Sequence, residues 1–278
     1  MPRFTEMTVT LRDGYAAYAR YFAVTRPRGA VLYHHGIQSH CGWYETSAER
    51  LQDAGFAVLQ VDRRGCGRNG VDRGHAESAE QLVQDSLAAR DVLLRVSGCG
   101  GYDLVGVSWG GRLVVATYIT DATGVRSMSL VTPGLFPLVG VSKARASEIA
   151  SAMLYEREKP FDIPLNDPER FTASAKWQRF HRTDALTLRQ ATAGFYLASR
   201  RMDRWFGRLK ACPPVPMHVL LAGDERIIDN DKTTGFVAEL GWPDTRVTTY
   251  AAARHSLEYE RDAEVYFRDL VGFIASAR

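Results

Sequence analysis

Gly106-Val107-Ser108-Trp109-Gly110 sets a serine between two glycines, at the end of the apolar run YDLVGV (102–107) and before a second apolar segment, GRLVVATYITD. That is the G-x-S-x-G pattern in a strand-to-helix setting. The chemistry it suits is attack of a serine hydroxyl on an acyl carbonyl. A tight turn exposes the Oγ of Ser108, and residues two before and two after it crowd so closely that only very small side chains fit. The helix N-terminus behind the serine favours the negative charge that develops during attack.

A serine hydroxyl is a poor nucleophile until a base takes its proton. In strand–turn–helix sites of this kind, the acid and then the histidine follow the serine along the chain. Three histidines lie after Ser108. His181 falls in a helical, basic stretch. His218 is inside the run MHVLLAG, where its side chain would be packed in a sheet. His255 sits in the loop AAARHSLEYE after the last strand, where a base can reach a serine on an inner strand. The acid belongs just past the penultimate strand, and LLAGDERIIDN offers Asp224, Glu225, Asp229 and Asp231. The oxyanion needs two amide donors. One is the N–H of Trp109, next after the serine. The other is expected from the loop HHGIQSHCGWYE, where Gly36 permits close approach and the N–H of Ile37 would point at the oxyanion. His35 reads as shaping that loop, and His40 and His75 as polar surface or loop hydrogen-bonding residues. The pair His34/His35 has no third ligand at metal spacing, so neither metal nor cofactor is expected.

These residues need a scaffold that brings distant loops to one edge. The runs AVLYHH (30–35), AVLQVD (57–62), YDLVGV (102–107), SMSLVT (127–132), MHVLLAG (217–223) and RVTTYA (246–251) are mostly continuous rather than alternating, as suits strands buried on both faces. Helical segments separate them. The clearest is 78–97, with Ser78 and Gln81 as a capping box, a leucine stripe and Gly98 as terminator. The fold class is therefore α/β with a mostly parallel sheet. The first residues read as an antiparallel hairpin turning at Asp13-Gly14. Between 134 and 210 the rhythm breaks into helical segments at 142–158 and 184–206 with no convincing strand. This stretch holds fourteen Lys and Arg against eight Asp and Glu, a net of +6. It reads as a helical lid, giving three parts: a core segment 1–133, the lid 134–210 and a second core segment 211–278.

The composition, 45% hydrophobic and 24% charged, is that of an ordinary globular protein. No apolar run approaches a membrane span, and the N-terminal residues lack the apolar centre of a secretory signal. Four scattered cysteines suit reduced thiols, so the expected location is cytoplasmic. A net charge of +3 and the lack of a phosphate loop or zinc-finger spacing give no reason to expect nucleic acid. The sequence leaves the oligomeric state open.

Taken together, His35-Gly36 with Gly42-Trp43-Tyr44-Glu45, DRRGCGRNG (62–70), GVSWGG (106–111), LAGDERIIDN (221–230) and RHSLEYE (254–260) resemble the monoacylglycerol lipase and lysophospholipase type of α/β-hydrolase. They span nearly the whole chain in that family's order. The resemblance implies Ser108 as nucleophile, His255 as base, Ile37 and Trp109 as oxyanion donors, and the helical lid at 134–210. Alignment on Arg226-Ile227-Ile228 puts Glu225 in the acid's place, with Asp224 one residue off. Two departures stand out: Val107 where the family has histidine, and Trp109 where it has methionine. The implied activity is acyl-enzyme hydrolysis of a small lipid-like ester; the net positive charge of the lid would itself suit an anionic headgroup or transient contact with a membrane surface. The same triad would serve a thioesterase or acyltransferase, and the same fold a small-molecule receptor.

Overall fold

The computed structural model describes residues 3–277. Its chain runs β1 (Thr5–Thr10), β2 (Ala16–Phe22), β3 (Gly29–His34), α1 (Glu45–Asp53), β4 (Phe56–Val61), α2 (Ala79–Ser97), β5 (Tyr102–Val107), α3 (Trp109–Thr120) and β6 (Val125–Val131). After an insert come β9 (Met217–Ala222), α7 (Asn230–Leu240), β10 (Thr245–Tyr250) and α8 (Ala263–Ser276). The insert holds α4 (Lys143–Tyr155), β7 (Pro160–Asp162), α5 (Ala175–Thr183), β8 (Gln190–Thr192) and α6 (Ala193–Asp203).

Eight strands form one sheet in the order β1-β2-β4-β3-β5-β6-β9-β10. All are parallel from β4 onward, while β2 is antiparallel to both β1 and β4. The continuous apolar runs are explained by burial on both faces. In β3, Ala30 and Leu32 join the core under α2 and α3, whereas Val31 and Tyr33 join the core under α1 and α8. The outermost β10 keeps polar residues turned to solvent, as an edge strand should. The N-terminal hairpin turns at Gly14, whose φ of +85° is the conformation glycine supplies. In α2, Ser78 accepts the amide of Gln81 and Gly98 closes the helix at φ +69°.

Strand order reverses between β3 and β5, since β4 lies on one side of β3 and β5 on the other. The loops after β3 and β5 therefore meet at a crevice at the strands' carboxyl ends, the place where open α/β sheets carry their sites.

The insert departs from the expected helices. α4 ends at Tyr155, and the helix expected over 184–206 begins only at Ala193. Residues 190–192 instead pair antiparallel with 160–162 as a short ribbon. The Thr192 hydroxyl caps α6 by accepting the Phe195 amide. No local periodicity announces a three-residue strand whose partner lies some thirty residues away. α5, which received no assignment from the sequence, forms over 175–183.

Candidate active site

The main chain of Ser108 takes φ 52° and ψ −120°, a region that a side-chain-bearing residue rarely enters. Its neighbours hold it there: Ser108 N–H donates to Val131 O (2.9 Å), and Ser108 O accepts from Gly111 (2.9 Å) and Gly134 (2.7 Å). A Cβ on Gly106 would stand 2.6 Å from Gly110 O, and one on Gly110 would stand 2.5 Å from His34 O. The first clash is the mutual crowding read from the motif. The second is a close approach of α3 to the end of β3, which the motif does not reveal.

His255 and Glu225 meet as a pair. The ring Nδ1 lies 3.0 and 2.9 Å from the two carboxylate oxygens, and both side chains are almost fully buried, 2% and 3% exposed. Glu225 Oε1 also accepts the amides of Arg226, Ile227 and Ile228. Burial pushes the Glu225 carboxyl up, but the adjacent His255 and those amides outweigh it and hold the group below its ordinary value. The opposite ring atom, His255 Nε2, is buried and has no partner among the described residues. Asp224 is differently placed. It is half-exposed and paired with Arg226 and Arg254.

Residues 131 and 132 join the two halves. Val131 O holds the Ser108 amide, and the Thr132 hydroxyl donates to His255 O at 2.9 Å. The loop after β3 closes in from the other side: a Cβ on Gly36 would be 3.4 Å from the Cβ of Ser108. Neither the Ile37 nor the Trp109 amide is engaged by another group among the described residues. Both residues, with Ser108, Ile163, Phe195 and Ile227, line an apolar cavity of about 290 Å³.

The remaining histidines are accounted for. His218 Nε2 bonds the Thr248 hydroxyl inside the sheet, and burial lowers its pKa to about 4. His181 is buried against Trp43, ring centroids 4.2 Å apart, and burial lowers its pKa to about 3. His35 shapes its loop: it accepts the Arg63 amide on Nε2 and so donates from Nδ1 to Gly36 O. His40 and His75 make loop hydrogen bonds as expected, His40 with Asp184 and His75 with Thr192, but both are buried rather than on the surface. No cluster that could hold a metal ion occurs among the described residues.

Two features went unread in the sequence. Trp109 is fixed by a hydrogen bond from its indole N–H to Ser199 Oγ (2.9 Å) and by the Phe195 ring at 5.2 Å, both from α6. Arg63 lies buried under the same indole, 4.4 Å from its centroid. It stands in the quoted segment DRRGCGRNG, but nothing local distinguishes its guanidinium from that of Arg64 beside it.

Against known families, residues 25–262 match the model described as serine aminopeptidase, S33. The chain belongs to that family. It is a serine hydrolase of the α/β-hydrolase fold. It is 25% identical over 262 residues to a monoacylglycerol lipase of Mycolicibacterium smegmatis, covering 91% of this chain and 90% of that protein. Among solved structures it is similar to a monoacylglycerol lipase of Paleococcus ferrophilus, with TM-score 0.84, 20% identity and coverage of 94% and 99% of the two chains. It is also similar to a soluble variant of monoglyceride lipase from Saccharomyces cerevisiae in complex with a substrate analog, with TM-score 0.84, 15% identity and coverage of 100% and 97%. No helix among the described residues is long and apolar enough to cross a membrane.

Proposed function

We propose that this protein hydrolyses carboxylic monoesters of the monoacylglycerol or lysophospholipid kind through an acyl-enzyme on Ser108. His255 Nε2 takes the Ser108 proton as Oγ attacks the ester carbonyl, and the same proton then leaves with the alcohol. Water repeats the sequence in reverse: His255 accepts its proton, the hydroxide attacks the acyl carbon, and Ser108 Oγ departs with that proton as the carboxylic acid is released. Glu225 holds the imidazole with Nδ1–H toward itself and stabilises the imidazolium. The amides of Ile37 and Trp109 receive the oxyanion. The segment 134–210 acts as the lid, and its Ile163 and Phe195 give the acyl chain an apolar wall.

One observation carries this reading. A buried carboxylate is fastened to one nitrogen of a buried imidazole while the other nitrogen is left free, on a loop tied through Thr132 to the strained serine turn. The cavity is at the small end of ligand pockets, which run to about 300–1,000 Å³, and it suits a single acyl chain.

The test is labelling by a fluorophosphonate probe together with turnover of p-nitrophenyl esters of graded chain length. Wild type should be labelled on Ser108 and should turn over the esters. Ser108→Ala should lose both, with turnover falling by about 10⁴-fold or more. Labelling that persists in the variant would overturn the assignment.

A further inference from the structure

We propose that Arg63 is the positioning residue of the oxyanion site, its one guanidinium fixing both the Ile37 peptide and the Trp109 indole; this rests on the reading of Ser108 as nucleophile. The Gly36–Ile37 peptide is trans, so its C=O and N–H point to opposite sides. Whatever grips the carbonyl therefore aims the amide. Gly36 O accepts from His35 Nδ1 at 2.8 Å and from Arg63 Nη1 at 3.3 Å. The Ile37 N–H is thereby directed away from Arg63, to the side where Ser108 and the cavity lie. Arg63 Nη2 also donates to Ile37 O at 3.0 Å, which restrains the next peptide as well. The residue acts a third time through its backbone. Its own N–H donates to His35 Nε2 at 2.9 Å, which forces the His35 proton onto Nδ1, where it bonds Gly36 O.

The other oxyanion residue is held by the face of the same guanidinium. Arg63 lies 4.4 Å from the Trp109 ring centroid and 4.9 Å from that of Phe195. A planar cation can stack on one side while its edge forks to two carbonyls, which an ammonium cannot do.

Fold stability is a poor explanation for such a residue. Arg63 is buried, and among the described residues no carboxylate forms an ion pair with it. The carboxylate of the adjacent Asp62 is taken up by the amides of Cys41 and Arg68. An unpaired buried cation costs free energy. Such a cost is expected where a group prepares a site for developing negative charge.

The experiment compares wild type, Arg63→Met and Arg63→Lys on p-nitrophenyl butyrate, with kcat expressed per site titrated by fluorophosphonate. Two inhibitors are added: a trifluoromethyl ketone, which forms a tetrahedral oxyanion on the serine, and the matching non-hydrolysable ether, which does not. Arg63→Met should lower kcat by about 10²-fold, the low end of the loss on removing an oxyanion donor, with KM within about threefold. Ketone affinity should fall in step with kcat, and ether affinity should stay within about twofold. Arg63→Lys should recover only part of the loss, staying at least about tenfold below wild type. A Met variant with kcat within threefold of wild type, or ketone and ether affinities that fall together, would overturn the proposal. If the Met variant does not fold, Lys decides: full recovery refutes the fork, and a persistent loss confined to kcat and the ketone supports it. A wild type that turns over no ester overturns the parent reading and this one with it. Ester turnover with an unaffected Met variant overturns this one alone.

Discussion

The turn carrying Ser108 and the loop carrying His255 converge on one crevice and share an anchor at residues 131 and 132, but the rest of their main-chain support comes from different parts of the molecule. The serine turn is a product of the sheet. Its amide is fixed by Val131, Gly110 is dictated by the end of β3 and Gly106 by Gly110 itself, and its helix begins at the next residue. The histidine loop leans on the insert. Ser256 N–H donates to Phe171 O at 2.8 Å, Arg254 reaches Glu169 O at 2.8 Å, and the Phe171 ring stands edge-on to the imidazole at 5.9 Å. A change in the insert should therefore reach the main chain of His255 before it reaches that of Ser108.

The largest expected effect separates two adjacent carboxylates on the loop after β9. Glu225→Gln keeps the shape but removes the charge facing His255, and it allows the imidazole the wrong tautomer. It should lower kcat by about 10²- to 10⁴-fold. Asp224→Asn loses only a half-exposed pairing with two arginines and should stay within about threefold. Steady-state kinetics on a p-nitrophenyl ester checks both, and the reverse ranking would move the acid's role to Asp224.

A smaller effect tests the bracing itself. Phe171→Ala should destabilise the fold by about 3 kcal/mol and also lower kcat by about tenfold, because the His255 loop loses its support. Leu93→Ala in α2, also buried but packed in the core on the other face of the sheet from α1 and α8, should cost about as much stability and leave kcat within twofold. Urea melts paired with kinetics make the comparison. If Leu93→Ala slows turnover as much as Phe171→Ala does, the loop has no special dependence on the insert.

The same contrast explains what could be read from the chain alone. The strands of the sheet, the helix over 79–97 and the turn at Ser108 were legible because each is specified by neighbours in sequence: a run buried on both faces, a cap at each end, small residues at fixed offsets. The insert was legible only as a break in rhythm. β7 and β8 pair across a long loop, and α6 starts where that ribbon ends, so no window of local sequence contains the cause. The pairing of Glu225 with His255 lies between these extremes. Its candidates were written in LLAGDERIIDN, but choosing among them takes the third dimension, since the choice turns on which carboxylate is buried. Arg63 was invisible for the same reason: a guanidinium's task depends on whose carbonyls it meets.

The last expected effect is on stability rather than turnover, and it concerns a carboxyl of the histidine segment itself. Glu258 lies three residues past His255. It accepts the Ser47 amide at 3.1 Å and the Ser47 hydroxyl at the start of α1. It is the counterpart of Glu225: here burial outweighs the hydrogen bonds and pushes the carboxyl up to about 8. In the unfolded chain this group ionises near its ordinary value of 4.5, whereas in the folded protein it keeps its proton up to about pH 8. Between those limits the folded state binds more protons than the unfolded one, so stability falls as pH rises. Over pH 5 to 8 the fall is at most about 4 kcal/mol, since one pKa unit corresponds to about 1.4 kcal/mol and the residue keeps some solvent contact. Glu258→Gln carries no proton to lose. Urea unfolding at pH 5 and pH 8 should show wild type losing more stability than the variant across that interval. Equal losses would mean that Glu258 is ionised in the folded protein, and that the Ser47 hydrogen bonds rather than burial govern this end of the loop.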